Sequence, residues 1–519
     1  MNLWHGGIIY SMQYEGHTVE AILEKGGMII ETGSFADLQH KAESYIDLRG
    51  DVLYPGFVDS HLHIIGYGEK LKNIDVSAIT TKQHLLERLQ QEAVMLKADD
   101  WLVAIGYNEG QNKHATFPTI EEINVLGCYV VIKRSCHHLI MANHQALTYA
   151  NIDDTTDNPS GGIIEKQDGK LTGILKDNAL YLVVNNMPTT TQSYVNDALE
   201  KSVTSLLSYG LVGGHSEDLS YYGHPSVPLK SYEHITEKRN FKAHLLQHHS
   251  VWNELRQIDF TPSIWVELGA MKIFIDGAFG GRTAALFEPY ADDPTNNGMF
   301  LHSKDTLEQL VQQARAKQST VAVHVIGDAA IDLILDIFEM YPPVEGQKDR
   351  IIHCSVVNDR LLDRLSALPI IVDVQPQFIQ SDMGILESRL GKERLRYVYP
   401  LKSLLDRKIV CAGGSDAPIE TPNPLYGIYA AITRKAIDSS TILNDAECIT
   451  RYEAVSLYTT EPAKVIGKEK LRGQIAVGFE ADFTVFDGDI FTVDVEQIPH
   501  VQVTKTVVHG QIVYDKNTK

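Results

Sequence analysis

The sequence predicts an α/β fold: a (β/α)8 TIM-type barrel, with a small β-sandwich built from both termini and an insertion after the first barrel strand. Three observations predict it. From about residue 200 onward, short β-branched runs alternate with helical patterns, which is the rhythm of parallel βα units. Eight such runs can be counted. The two ends of the chain instead carry short alternating runs, such as "VEAILEKGGMIIETG", "ADFTVFDGD" and "TKTVVHGQIVYD".

The strands read in order are "LYPGFVDSHLH" (53–63), "LVGGHSE" (211–217), "FKAHLLQ" (241–247), "MKIFIDG" (271–277), "VAVHVIG" (321–327), "RIIHCSV" (350–356), "IIVDVQP" (370–376) and "IVCAGGSD" (409–416). Helices are expected between them at 304–317, 329–341 and 359–368, where apolar residues recur near the 3.6-residue period. Residues 55–465 form the barrel domain, and 1–54 with 466–519 form the sandwich. The stretch 68–200 has strand-like runs of its own, "WLVAIGY", "CYVVIKR" and "GGIIEKQDGKLTGIL", with a turn at Asp168-Gly169. It is expected to lie over the mouth of the barrel, because it follows the C-terminal end of the first strand.

Composition excludes several classes of function. Lys and Arg total 46 against 67 Asp and Glu, a formal charge of -21, and that field repels phosphate backbones and anionic membrane surfaces. No stretch of about 18 uncharged apolar residues could span a bilayer, and the N-terminus lacks the basic and apolar regions of a signal peptide. A cytoplasmic protein acting on a small molecule is expected, with neither nucleic acid nor membrane as partner and a homodimer as the base-rate assembly. The five cysteines are scattered and contain no C-x-x-C pair, which argues against a disulfide framework and a zinc ribbon.

The chemistry sits at the strand ends. In "PGFVDSHLHIIGYG" two histidines lie two residues apart, so His61 and His63 face one space where a barrel keeps its active site. The fourth strand carries Lys272, the fifth His324, the sixth His353 and the eighth Asp416, each in an otherwise apolar run. A lone strand histidine is usually a satisfied core residue and a lone lysine usually an edge residue. Six such residues at equivalent ends are not coincidence.

This pattern, with "PGFVDSHLH", "KIFIDGAFGGRTAALFEPY", "VHVIGDAAID", "RIIHCS", "VQPQF", "GGSDAPIETPNPLYGI" and "GQIAVGFEADFTVFD", resembles the amidohydrolase superfamily over nearly the whole chain. It is most similar to the amidohydrolase-3 group, the branch of YtcJ-like and N-substituted formamide deformylase-like proteins. The resemblance implies that His61, His63, His324 and His353 are metal ligands, that Asp416 is both ligand and catalytic proton shuttle, and that Lys272 is N-carboxylated and bridges two metals. Imidazole and carboxylate donors suit Zn2+. A buried lysine with a lowered pKa can add CO2, and the resulting carbamate offers two anionic oxygens. The implied reaction is hydrolysis of a C–N bond, in an amide, formamide or cyclic amide, by a metal-activated hydroxide.

A deaminase of the same superfamily is the first alternative. Adenosine-deaminase-like members bind one metal, lack the bridging lysine and carry His-x-x-Glu near the fifth or a neighbouring strand, whereas His324 is followed by "VIGD". A silent barrel scaffold is the second, and all six filled positions argue against it. Substrate-binding candidates are His138 in "RSCHHLIMANHQAL", Asp276 and Arg282 in the glycine-rich stretch after the fourth strand, and Asp328 and Gln375 after the fifth and seventh. Arg282 could meet a substrate carboxylate or be held by Asp276 or Glu288, and Asp328 could equally cap the helix that follows it.

Overall fold

The computed structural model describes residues 1–76, 79–107, 117–134, 139–159, 162–187, 191–437 and 439–518. The chain divides into two compact units, residues 1–67 with 195–519, and residues 68–194.

The first unit holds eight parallel strands. They are β1 (Phe57–Leu62), β2 (Leu211–Ser216), β3 (Lys242–His248), β4 (Val266–Phe274), β5 (Val321–Val325), β6 (Asp349–His353), β7 (Ile370–Val374) and β8 (Val410–Gly413). Each pairs with the next in sequence order. The circle is nearly closed: just past β8, the Asp416 N–H donates to the His61 carbonyl at 2.8 Å. Right-handed βα units built from apolar strands bury both faces of such a sheet, which is why these runs read as continuously apolar.

The expected helices lie at Lys304–Ala316, Asp328–Met340 and Asp359–Ala367. The first buries Leu307, Leu310, Val311 and Ala314 along one stripe, and Ser303 caps it by accepting from the Thr306 N–H. Asn358 caps the third in the same way through the Leu361 N–H.

Two strands differ from the sequence reading. The run 53–63 is two strands joined at Gly56: Val52–Pro55 belongs to a terminal sheet and only Phe57–Leu62 to the barrel. Gly56 is where the chain passes between layers, for a Cβ there would lie 2.6 Å from the Val212 side chain. β4 begins five residues earlier than the "MKIFIDG" run: Glu267 and Gly269 interrupt its apolar pattern, but Val266, Glu267 and Leu268 already pair with β3, and the register then shifts before Met271.

Both ends of the chain build the remaining sheets of this unit. One has four strands in the order Met28–Gly33, Ala21–Lys25, Asn2–His5, Ser44–Asp47; the other has six, including Val52–Pro55, Phe483–Phe486 and Val503–Val508. Trp4, Ile22, Ile29, Phe483, Val485 and Val507 share one buried cluster, with Trp4 edge-on to Phe483.

The second unit is a six-stranded sheet whose strands include Trp101–Tyr107, Tyr129–Arg134, Leu139–Ala142 and Gly162–Gln167. Leu85, Leu89, Val130, Ile132 and Met141 are among its core residues. Asp168 and Gly169 both have positive φ, as a two-residue hairpin turn requires. Among the described residues no helix is long and apolar enough to cross a membrane.

Candidate metal centre

The strand ends bring all six expected residues into one cluster. Asp416 Oδ1 lies 3.4 Å from His61 Nε2 and 3.3 Å from His63 Nε2. Lys272 Nζ, completely buried, lies 3.3 Å from the same His61 nitrogen. On the far side His353 Nε2 is 2.9 Å from His324 Nδ1. His61, His353 and Asp416 each offer a ligand atom, and these atoms lie within 4.8 Å of one another.

The outer nitrogens decide what the inner ones can do. His63 Nδ1 is 2.6 Å from the Glu217 carbonyl, His324 Nε2 is 3.2 Å from the Gly277 carbonyl, and His353 Nδ1 is 2.7 Å from Gln375 Oε1. Carbonyl oxygens only accept, so each of these nitrogens carries the proton and donates it. In the neutral His324 and His353 rings the opposite nitrogen is left with a lone pair facing the cluster, whereas His63 Nε2 lies 3.3 Å from Asp416 Oδ1 and carries a second proton in the metal-free protein. At His324 and His353 two such lone pairs face each other, an arrangement that calls for a cation between or beside them. Imidazoles held through their outer N–H by carbonyl or amide oxygens are the usual support of metal ligands. The donor set fits a divalent metal.

Electrostatics agree with this reading. Burial, aided by the Lys272 ammonium, holds His61 well below the ordinary imidazole value. Burial, with neighbouring His353 and Lys272, does the same to His324. His353 is lowered to about 4, burial and Lys272 outweighing the attraction of Asp416. His63 goes the other way: burial lowers it, but its contact with Asp416 and the nearby Asp218 and Glu217 raise it to about 9. Burial pushes Lys272 down to about 8 against the pull of Glu217 and Asp416. Asp416 is held below the usual carboxylate value despite its burial, chiefly by His63.

Several supporting residues lay unread in the sequence. Asp59 accepts from the His61 N–H at 3.0 Å and from the Ser415 hydroxyl at 2.6 Å, tying β1 to the turn after β8. Gly414 makes that approach possible, since a Cβ there would sit 2.6 Å from His61 N and 2.8 Å from His61 O. After β2, Ser216 Oγ accepts from Ile64 N, Asp218 Oδ2 accepts from Ile65 N and the Tyr232 hydroxyl, and Glu217 O holds His63. The tripeptide Ser216-Glu217-Asp218 thus grips the tail of β1. Its signal was four successive polar residues, His215 to Asp218, at the end of an apolar run, "LVGGHSED".

The substrate-binding candidates have varied surroundings. Gln375 faces His353 and orients it. Asp276 is buried and accepts from the N–H groups of Ala285, Ile326 and Gly327, which locks the loop after β4 onto β5; burial raises its carboxyl to about 7. Arg282 makes a two-pronged pair with Asp292 at 3.0 Å rather than with Asp276 or Glu288. Asp328 opens its helix, with Oδ1 accepting from Ala329 N and Phe287 N. His138 lies outside the described residues.

Comparison with known proteins gives one answer. Residues 44–514 match the family described as the amidohydrolase family. YtcJ, a protein of Bacillus subtilis (strain 168) that carries the amidohydrolase name, is 44% identical over 99% of both chains. An N-substituted formamide deformylase of Arthrobacter pascens is 25% identical over 96% of this chain and 95% of its own. A crystal structure titled as an uncharacterized metal-dependent hydrolase from Pyrococcus furiosus superposes with a TM-score of 0.81 at 26% identity, covering 95% of this chain and 100% of the other. With a family match over residues 44–514, which takes in the whole barrel, and a cluster of four histidines, a lysine and an aspartate at its strand ends, this chain belongs to the amidohydrolase family.

Proposed function

We propose that this chain is a metal-dependent hydrolase that cleaves a C–N bond of an amide, formamide or cyclic amide. One observation carries the reading most: His324 Nδ1 and His353 Nε2 face each other as lone pairs at 2.9 Å, beside the nitrogens that point to Asp416. Zn2+ suits this nitrogen and oxygen donor set, and His61, His63, His324, His353 and Asp416 are the residues that would hold it. A bound divalent cation supplies a Lewis acid for the scissile carbonyl and lowers the pKa of water.

The chain's own groups do the rest. Lys272 has its pKa lowered to about 8, so part of it is neutral amine near neutral pH. That amine attacks CO2: an N–C bond forms, one proton leaves Nζ, and the carbamate presents two anionic oxygens in place of an ammonium. Asp416 is the proton carrier, taking a proton from the attacking water at its carboxylate and returning it to the departing nitrogen. The rings around it orient Asp416, through the contacts of His61 Nε2 and His63 Nε2 with Oδ1.

The test is metal content by mass spectrometry with a hydrolysis screen over N-formyl and N-acyl amines, N-acyl amino acids and cyclic ureas. Between about one and two divalent cations per chain are expected, with turnover that stops on chelation and returns with metal. Full activity after exhaustive chelation would overturn the reading, as would turnover of esters without any C–N substrate.

A further inference from the structure

We propose that Glu217 is a further member of the metal centre, a carboxylate that balances the charge of a bound cation from the His63 side. The inference rests on the proposed metal-dependent function. Glu217 directly follows β2 and has no solvent exposure. Its Oε2 accepts from the Tyr221 hydroxyl at 2.6 Å and lies 4.0 Å from His63 Nδ1. Oε1 is buried with no hydrogen-bond partner among the described residues. A carboxylate taken fully out of water needs paired charge or several donors, and one neutral hydroxyl is a poor substitute.

Its neighbours are better provided. Asp59 accepts from two N–H groups and a hydroxyl, and Asp218 accepts at one oxygen from an N–H and two hydroxyls. Asp373 has the Arg350 guanidinium at 2.9 Å. Asp218 Oδ1 and Asp373 Oδ1 are also buried without a partner, but among the described residues Glu217 is the one of the four with a single donor to its side chain and no cation within 4 Å apart from the His63 ring. Its backbone cannot move away, because Glu217 N donates to Leu62 O and Glu217 O accepts from His63 Nδ1. The carboxylate is therefore fixed beside a metal ligand with one oxygen unspent. Tyr221, half exposed, packs edge-on to both His63 and His248 and holds the other oxygen in place.

A charge-balancing role separates from a merely structural one by the sign of its effect on two forms of the protein. In Glu217→Gln the metal-free protein should melt no lower than wild type, since a buried unpaired charge has been removed while the Tyr221 hydrogen bond can persist. The Zn2+-loaded protein should gain less on loading, and the Zn2+ dissociation constant, read by competition with a chromophoric chelator, should weaken about 10–100-fold, while Glu217→Asp stays within about threefold.

Zn2+ affinity of Glu217→Gln within about twofold of wild type would overturn the proposal. So would a metal-free melting temperature that falls as far as the loaded one, or a Glu217→Asp variant as weak as Glu217→Gln, because charge would then not be what the site uses. If Glu217→Gln does not fold, Glu217→Met takes its place as a charge-free variant of similar length, with the same weakening of Zn2+ binding expected and unchanged affinity overturning the proposal. A wild-type protein that binds no divalent cation would overturn the metal-dependent function itself; equal binding by wild type and variants would overturn only the role of Glu217.

Discussion

His324 Nδ1 and His353 Nε2 stand 2.9 Å apart with no proton between them, because each ring carries its proton on the other nitrogen and donates it in a hydrogen bond, to Gly277 O and Gln375 Oε1. The protein has fixed two tautomers so that both lone pairs converge. Gln375→Leu should release His353 from that tautomer and weaken Zn2+ binding by about 10–100-fold while leaving the fold intact. Chelator competition and circular dichroism on the same sample check it; unchanged affinity contradicts it.

His63 should make metal binding pH-dependent. Its pKa is raised to about 9, so at neutral pH the metal-free ring holds a proton that a cation must displace. In Lys272→Met, where no lysine proton contributes, Zn2+ affinity should therefore rise by about tenfold per pH unit between pH 7 and 9 and flatten above, with close to one proton released per cation at pH 7. His353, lowered to about 4, is already neutral in this range and adds nothing to the slope. Calorimetry in buffers of different ionisation enthalpy reads the proton count directly, and a flat profile would contradict the assignment.

His61 faces both Lys272 and Asp416 and is buried. His61→Ala should abolish detectable turnover and lower metal affinity by more than about a hundredfold, with native secondary structure retained. Full metal occupancy in this variant would remove His61 from the ligand set.

Lys272 offers the sharpest contrast between variants. Lys272→Met removes a buried ammonium, so the metal-free protein should be at least as stable as wild type, yet it should hold one cation fewer per chain. Lys272→Glu should keep part of the metal, its carboxylate replacing some of the carbamate. Because the amine is half neutral only near pH 8, reactivation with bicarbonate should be faster at pH 8.5 than at pH 6.5. Reactivation independent of bicarbonate would refute the carbamate.

Gly414→Ala tests how closely β1 and the turn after β8 must approach. The new methyl would press on His61 N and O at 2.6 and 2.8 Å, which should cost about 1–3 kcal/mol of stability and displace His61. Urea denaturation of the metal-free protein measures the first effect and metal content the second.

What the sequence reveals here is what strand patterning can carry. Lys272, His324, His353 and Asp416 stood out because a polar group at the end of an apolar run needs a reason to be there, and the runs themselves marked all eight strands. The partners that fix their tautomers are hidden, since Glu217 O and Gly277 O are backbone atoms present at every residue, and only the path of the loops selects them. The pairing of Arg282 with Asp292 is hidden for the same reason: ten residues separate them along a loop with no periodicity to read. Gly56 escaped because a glycine between two apolar runs does not announce that the chain is changing sheets.

That change of sheets has a consequence for the order in which the protein is made. The strand carrying His61 is continuous with Val52–Pro55, which lies antiparallel to Phe483–Phe486, while the Phe57 N–H is held by the Thr484 hydroxyl. A ribosome delivers the first ligand early and the strand that braces it long afterward. A nascent chain therefore cannot hold His61 in its final place until its distal segment has emerged.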